Sequence, residues 1–265
     1  MPLVCLHGWF GEPADFDELF ESLRSLGWPE DRHPLIAVSL PGHSGQPLPR
    51  EPRTFSTGVA AVGETIIERL ASVGLDDGPS GCRLLGYSMG GRIALALAAG
   101  LGPLSPRHVT ILGAHPGLVD PEQRAARVDH DDRLADQLTA FDDALAFERF
   151  VRDWYEQPLF APLVRATGMD TLVARRTRQN PGELAGALRM FSTGAQPPLG
   201  GADQPIATPV QALAGALDHK FVDLLGDLAE RSAAVQFCPV PGAGHAAHLE
   251  CPDTVAGLIL AELDS

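Results

Sequence analysis

The sequence predicts an α/β protein: a mostly parallel sheet flanked by helices, with one all-helical insertion. Three observations carry that prediction. Apolar strand-like runs alternate with helical runs over residues 3–113 and again from 209 onward, the pattern of a parallel sheet covered on both faces. Between about 116 and 203 only helical patterns occur, broken by Pro and Gly. Finally, Gly86-Tyr87-Ser88-Met89-Gly90 lies where an apolar strand passes into an Ala/Leu-rich helix.

In chain order, strands are expected at 3–6, 35–39, 82–87 and 108–113, separated by helices at 14–26, 58–73 and 90–100. The insertion shows helical periodicity at 121–140, 142–155, 168–178 and 182–192. GAQPPLGGADQP (194–205) is the linker back, followed by strand 209–214, helix 220–231, strand 234–240 and helix 252–263. The resulting division is a core of residues 1–115 and 204–265 and a helical cap of residues 116–203 above Ser88. No internal repeat is visible.

The G-x-S-x-G run has the context of a nucleophile elbow. A serine on so tight a strand-to-helix turn needs strained backbone angles and small neighbours, which Gly86 and Gly90 supply. The helix N-terminus beside Ser88 favours negative charge. In α/β-hydrolase folds an acid and then a histidine follow the serine along the chain. Asp218 lies in the loop after strand 209–214 and His245 in the Gly-rich loop after strand 234–240, both at strand C-termini. His245 is the expected base and Asp218 its orienting acid; His248 and Asp223 are the competing base and acid. The oxyanion hole is assigned to the backbone N–H groups of Trp9, after LVCLHG, and Met89, after the nucleophile. His7 is read as structural, and His43 in LPGHSG as a loop brace.

Composition restricts the function classes. Hydrophobic residues make up 45% and charged residues 20%, as in a soluble globular protein, and no apolar run reaches membrane-spanning length. The chain starts almost on a strand, without a basic n-region, which argues against a secretory signal. Cys5, Cys82, Cys238 and Cys251 are widely spaced and read as buried free thiols, pointing to the cytoplasm. A net charge of −14 argues against nucleic acid or anionic membrane as partner, and means that an anionic substrate needs a locally positive pocket. Arg92, one helical turn after Ser88, could clamp a carboxylate or pair with a cap acid; spacing alone leaves both open.

GYSMGGR (86–92), HPGLVDPEQRAAR (115–127), DWYEQPLF (153–160), LVARRTRQN (172–180), DHKF (218–221) and PGAGHAAHLECP (241–252) together carry a resemblance. They resemble the menaquinone-pathway synthases of 2-succinyl-6-hydroxy-2,4-cyclohexadiene-1-carboxylate, over nearly the whole chain and including the cap. The resemblance implies an α/β-hydrolase fold with a helical cap, no metal or cofactor, and elimination of pyruvate from a small tricarboxylate. By motif it implies Ser88, Asp218 and His245 as triad, Arg92, Arg127 and Arg176 as carboxylate arginines, and Tyr155 and Trp154 as pocket aromatics. Such an enzyme is expected to be a monomer or small homo-oligomer. Ser39 and Ser44 depart from the pattern, standing where relatives often carry Asp and Gly, and strands that usually precede the first are missing, so the expectation is either a smaller sheet or a start that falls late in the protein. The alternatives are a capped hydrolase of an ester or C–C bond in a small acidic substrate, and a catalytically dead receptor or scaffold.

Overall fold

The computed structural model describes residues 1–75 and 81–263. Its sheet has six strands: β1 (Leu3–Leu6), β2 (Leu35–Val38), β3 (Arg83–Tyr87), β4 (His108–Leu112), β5 (Val210–Gly215) and β6 (Val235–Val240). They run in the order β2-β1-β3-β4-β5-β6, every neighbouring pair parallel. The reversal of strand order lies beside β1 and β3, whose C-terminal ends therefore open onto a crevice.

Strand alternation sorts the core into two layers. Val4, Leu6, Leu84, Val109, Ile111 and Ala212 face one side of the sheet. There they meet Val59, Val62 and Ile66 of α2 (Phe55–Ser72), Ile93 and Leu97 of α3 (Met89–Ala98), and Leu225 and Leu228 of α9 (His219–Arg231). Leu3, Cys5, Leu85, Leu112 and Leu213 face the other side. They pack on Leu19 and Leu23 of α1 (Asp17–Ser25) and Val255 and Ile259 of α11 (Pro252–Ala261). Each fully buried aliphatic side chain of this kind contributes roughly 1.5–3 kcal/mol. All four cysteines are free, but only Cys5 and Cys82 are buried; Cys238, on edge strand β6, and Cys251 are partly exposed, which corrects the expectation of four buried thiols.

Between β4 and β5 run five helices: α4 (Pro121–Thr139), α5 (Ala144–Tyr155), α6 (Ala161–Thr167), α7 (Met169–Arg176) and α8 (Pro181–Met190). Asp120, Asp143 and Asn180 cap α4, α5 and α8 by accepting first-turn N–H groups, and Pro121 and Pro181 occupy first-turn positions that need no N–H. The seven-residue α6 escapes the periodicity reading because two turns show too little of a 3.6-residue repeat. The short α10 (Ala247–Glu250) escapes it likewise. Phe10, Phe147, Val151, Tyr155, Phe160, Leu172 and Leu184 form a third cluster, which fastens these helices over the strand ends.

Candidate active site

Ser88 sits between β3 and α3 with φ 49° and ψ −107°, a left-handed conformation that costs about 1–3 kcal/mol for a residue with a side chain. Its N–H donates to Leu112 O (2.8 Å), and its carbonyl accepts from Arg92 N–H (3.0 Å). The turn closes only on glycines. A Cβ on Gly90 would lie 2.2 Å from Leu6 O, and one on Gly86 would lie 2.4 Å from Gly90 O.

Asp218 ends the β5 loop and precedes the first turn of α9. His245 follows β6 on the loop 241–246. The imidazole Nδ1–H donates to Asp218 Oδ2 at 2.7 Å, with Asp218 6% and His245 5% exposed. Because the carboxylate only accepts, it fixes the tautomer and leaves Nε2 free to take a proton. The ring is boxed by Phe221, Tyr87 and Phe160 at 4.7, 5.4 and 6.0 Å between centroids. Glu250, which sequence reasoning passed over, holds the histidine loop by accepting from Gly244 N–H and from Ala246 N–H (2.9 Å). Burial pushes its carboxyl pKa up against the pull of those two bonds. Among the described residues, Ser88 Oγ makes no hydrogen bond with His245, although both line one cavity.

The rival residues are placed elsewhere. His248 is fully buried against Tyr87 and Phe16, at 4.6 and 5.1 Å, and neither ring nitrogen has a hydrogen-bond partner among the described residues. Asp223 lies on α9 and lines no cavity with Ser88. His7 braces two loops, with Nδ1–H donating to Gly8 O (2.8 Å) and Nε2 accepting from Leu40 N–H (3.1 Å). His43 donates to Pro41 O (3.1 Å) and stacks edge-on against His7. Neither the Trp9 nor the Met89 backbone N–H is matched with an acceptor among the described residues, and both residues line the cavity with Ser88. Unpaired backbone donors are costly unless something else accepts from them.

That cavity encloses about 290 Å³ and is rich in positive charge. Arg92 is buried, donates to Gln196 Oε1 (3.3 Å), and has its pKa pushed down to about 9 by burial and by the charge of Arg127. Arg127 on α4 also lines it, with Nε 2.9 Å from both carboxylate oxygens of buried Asp131. Lys220, the only lysine of the chain, stands exposed at the rim; it directly follows the Asp218-His219 pair, but nothing in a bare sequence distinguishes it from a surface lysine. His115 registers all three cations: burial first, then Lys220, Arg92 and Arg127 push its pKa down to about 4. Trp154, Phe160, Leu134 and Leu188 supply the apolar wall.

Arg176 and Tyr155 border a second, smaller chamber of about 50 Å³ that shares Trp9, Ser88, Trp154 and Phe160 with the first. The Arg176 guanidinium is already engaged. Nη1 is ion-paired with Asp15 Oδ1 (2.9 Å) and Nε–H donates to Tyr155 Oη (3.1 Å). Burial pushes its pKa down, but Tyr155 and Asp15 outweigh burial and raise it. Of the three sequence-predicted arginines, two therefore share the main cavity and the third lies beyond Ser88 in the side chamber. Among the described residues, no group of His, Cys, Asp and Glu could hold a metal ion, and no helix is long and apolar enough to cross a membrane.

Comparison with known proteins places this arrangement among relatives. The model of the alpha/beta hydrolase family matches residues 3–258. The chain is 33% identical to the 2-succinyl-6-hydroxy-2,4-cyclohexadiene-1-carboxylate synthase of Pectobacterium atrosepticum, over 96% of this chain and 90% of that protein. It is 34% identical to the synthase of the same description from Serratia proteamaculans, over 96% and 89%. The structure of MenH from S. aureus superposes with a TM-score of 0.83 at 27% identity, covering 100% of this chain and 93% of that one.

Proposed function

The chain belongs to the alpha/beta hydrolase family, with curated synthases of 2-succinyl-6-hydroxy-2,4-cyclohexadiene-1-carboxylate among its relatives, and from that premise we propose that it is such a synthase. It eliminates pyruvate from 2-succinyl-5-enolpyruvyl-6-hydroxy-3-cyclohexene-1-carboxylate in menaquinone biosynthesis. The reading is of a carbon–oxygen lyase acting in the cytoplasm on a small tricarboxylate, with residues 116–203 as a cap over a core of 1–115 and 204–265. The observation that carries it is the convergence of Ser88, the His245–Asp218 pair and three cations on one cavity of a chain with net charge −14.

The proposed chemistry follows from that convergence. His245 Nε2 takes the Ser88 proton, and the Ser88 alkoxide takes the proton from the ring carbon that bears the succinyl group. The electron pair moves onto the ketone oxygen, where the Trp9 and Met89 N–H groups stabilise the enolate. The enolate then collapses: a ring double bond forms at the succinyl carbon, the existing one shifts by one bond, and the allylic C–O bond breaks. The departing enolpyruvate is protonated from the imidazolium side and leaves as pyruvate. No acyl-enzyme forms. Arg92 and Arg127 hold substrate carboxylates, Lys220 draws the anion to the mouth, and Trp154 packs on the ring. Arg176, held by Asp15, and Tyr155 wall the side chamber next to the reacting serine.

The test generates the substrate in situ and follows pyruvate with lactate dehydrogenase while recording the absorbance of the ring product. Both signals are expected to rise in step, and to fall to the spontaneous rate in Ser88→Ala. Acceleration of neither, together with rapid cleavage of p-nitrophenyl esters, would refute the synthase reading.

A further inference from the structure

Among the described residues, three that are not glycine have a positive φ: Phe10 at 64°, Ser44 at 49° and Ser88 at 49°. Such backbone persists only where the surroundings hold it. Ser88 is held by the elbow. One side chain, Gln179 in the turn between α7 and α8, bonds to both of the other two. Its carboxamide donates to Phe10 O (2.6 Å) and Gly11 O (3.0 Å), while its Oε1 accepts from Ser44 N–H (3.3 Å). Gln179 is 9% exposed, and both of its donors are used.

The segment it grips begins at Trp9. Phe10 O belongs to the second peptide group after the Trp9 N–H, so clamping Phe10 and Gly11 limits the rotation that would swing that N–H away from Ser88. Other bonds from the inserted helices converge on the same segment. The Trp9 indole donates to Leu184 O of α8 (3.1 Å). Arg175 of α7 reaches Glu12 at 2.9 Å and Asp15 at 2.8 Å. The buried Phe10 ring lies about 6 Å from Phe147, Phe150 and Trp154 of α5 (6.4, 6.2 and 6.0 Å).

We infer that Gln179 is a positioning residue for the oxyanion hole, fixing the Trp9 N–H from the inserted helices so that the hole is complete only when α7 and α8 are seated on the sheet. The inference rests on the reading of Trp9 as an oxyanion donor, and the experiment separates the two.

Gln179→Glu keeps the shape, loses both donors and turns an anion toward two carbonyls; Gln179→Met is the neutral near-isostere should the first fail to fold. For each variant, kcat and KM on the tricarboxylate are measured beside the dissociation constant of phenylboronic acid, whose tetrahedral Ser88 adduct places an oxygen in the hole. Amide ¹⁵N labelling at the three tryptophans reports the Trp9 N–H directly. In the wild-type protein, boronate is expected to move the Trp9 amide proton downfield. In the variants that shift is lost, boronate binds about 10- to 100-fold more weakly, and kcat falls by a similar factor with KM within about threefold. A Trp9 shift absent from the wild type overturns the oxyanion reading and the inference with it. A shift present in the wild type and undiminished in a folded variant, or a variant that raises KM alone, overturns the role of Gln179 and leaves the Trp9 reading standing.

Discussion

The C-terminal edge of the sheet and the helices inserted over it are built in different ways. At the sheet edge a few residues close in sequence dictate their own geometry: Gly86 and Gly90 permit the elbow, Ser88 is strained by it, and Asp218 and His245 lie in the loops after β5 and β6. In the insertion the decisive features are side-chain bonds to partners distant in sequence, such as Arg176 to the Asp15 carboxylate, Gln179 to the Phe10 carbonyl and the Ser44 N–H, and Gln196 to Arg92 of α3. The comparison teaches that the geometry of the edge is set by local sequence, whereas that of the insertion is set by contacts across the fold; on the proposed reading, reaction chemistry resides in the first and substrate choice in the second.

The strongest way to break that division is to disable one side alone. Ser88→Ala or His245→Ala is expected to lower kcat by about 10³- to 10⁶-fold, as triad removals do elsewhere, without shifting the melting temperature appreciably. A loss of less than tenfold in steady-state turnover would move the base away from the edge. Arg92→Ala should next cost about 10²-fold in kcat/KM on the tricarboxylate and far less on a neutral ester. Equal losses on both substrates would remove its clamping role and blur the comparison.

Stability sharpens it from the other side. Asp15→Ala removes the nearer carboxylate of the buried Arg176 guanidinium, leaving Glu12 at 3.8 Å, and such losses typically cost about 3–5 kcal/mol. Urea unfolding should show that deficit, whereas removing an exposed pair such as Arg24–Glu30 should cost under about 1 kcal/mol. Acid is the second lever. Burial depresses the pKa of His7 and His248 to about 4 and that of His43 well below the usual value. Because the unfolded chain binds those protons first, the stability these residues confer is intact above about pH 6.5. It declines as pH falls toward 4, by about 1.4 kcal/mol per pH unit for each histidine. A pH-independent denaturation midpoint between 6.5 and 4.5 would contradict the buried, neutral placement.

The smallest effect belongs to the rim. Lys220→Gln should raise KM for the tricarboxylate by about three- to tenfold and flatten its dependence on ionic strength, because an exposed charge acts mainly through association. Salt titrations of the two proteins would be superimposable if Lys220 took no part.

The strands and their alternation with helices were legible because apolar runs of four to six residues bounded by turns have few other uses in a chain of this length. The elbow at Ser88 and the Asp218–His245 pair were legible because their order along the chain and their positions just after strands are local facts. The engagement of Arg176 by Asp15 was not legible, since 161 residues separate them and either could pair elsewhere on a helix surface. The same holds for Gln179, whose type and neighbours (Arg178, Asn180) carry no local signal of the three bonds it makes across the fold. Asp131, four residues after Arg127, did have a local signal in its i,i+4 spacing, but spacing does not tell whether the pair faces solvent or a cavity.

The central claim is that a serine triad here removes a carbon-bound proton and forms no acyl-enzyme. The most direct test uses substrate carrying deuterium on the ring carbon that bears the succinyl group, with rapid-quench mass analysis of the Ser88 peptide during turnover. The account predicts a primary isotope effect on kcat/KM and an unmodified Ser88 peptide at every time point. An absent isotope effect, with a burst of product and a mass increase on Ser88, would contradict it.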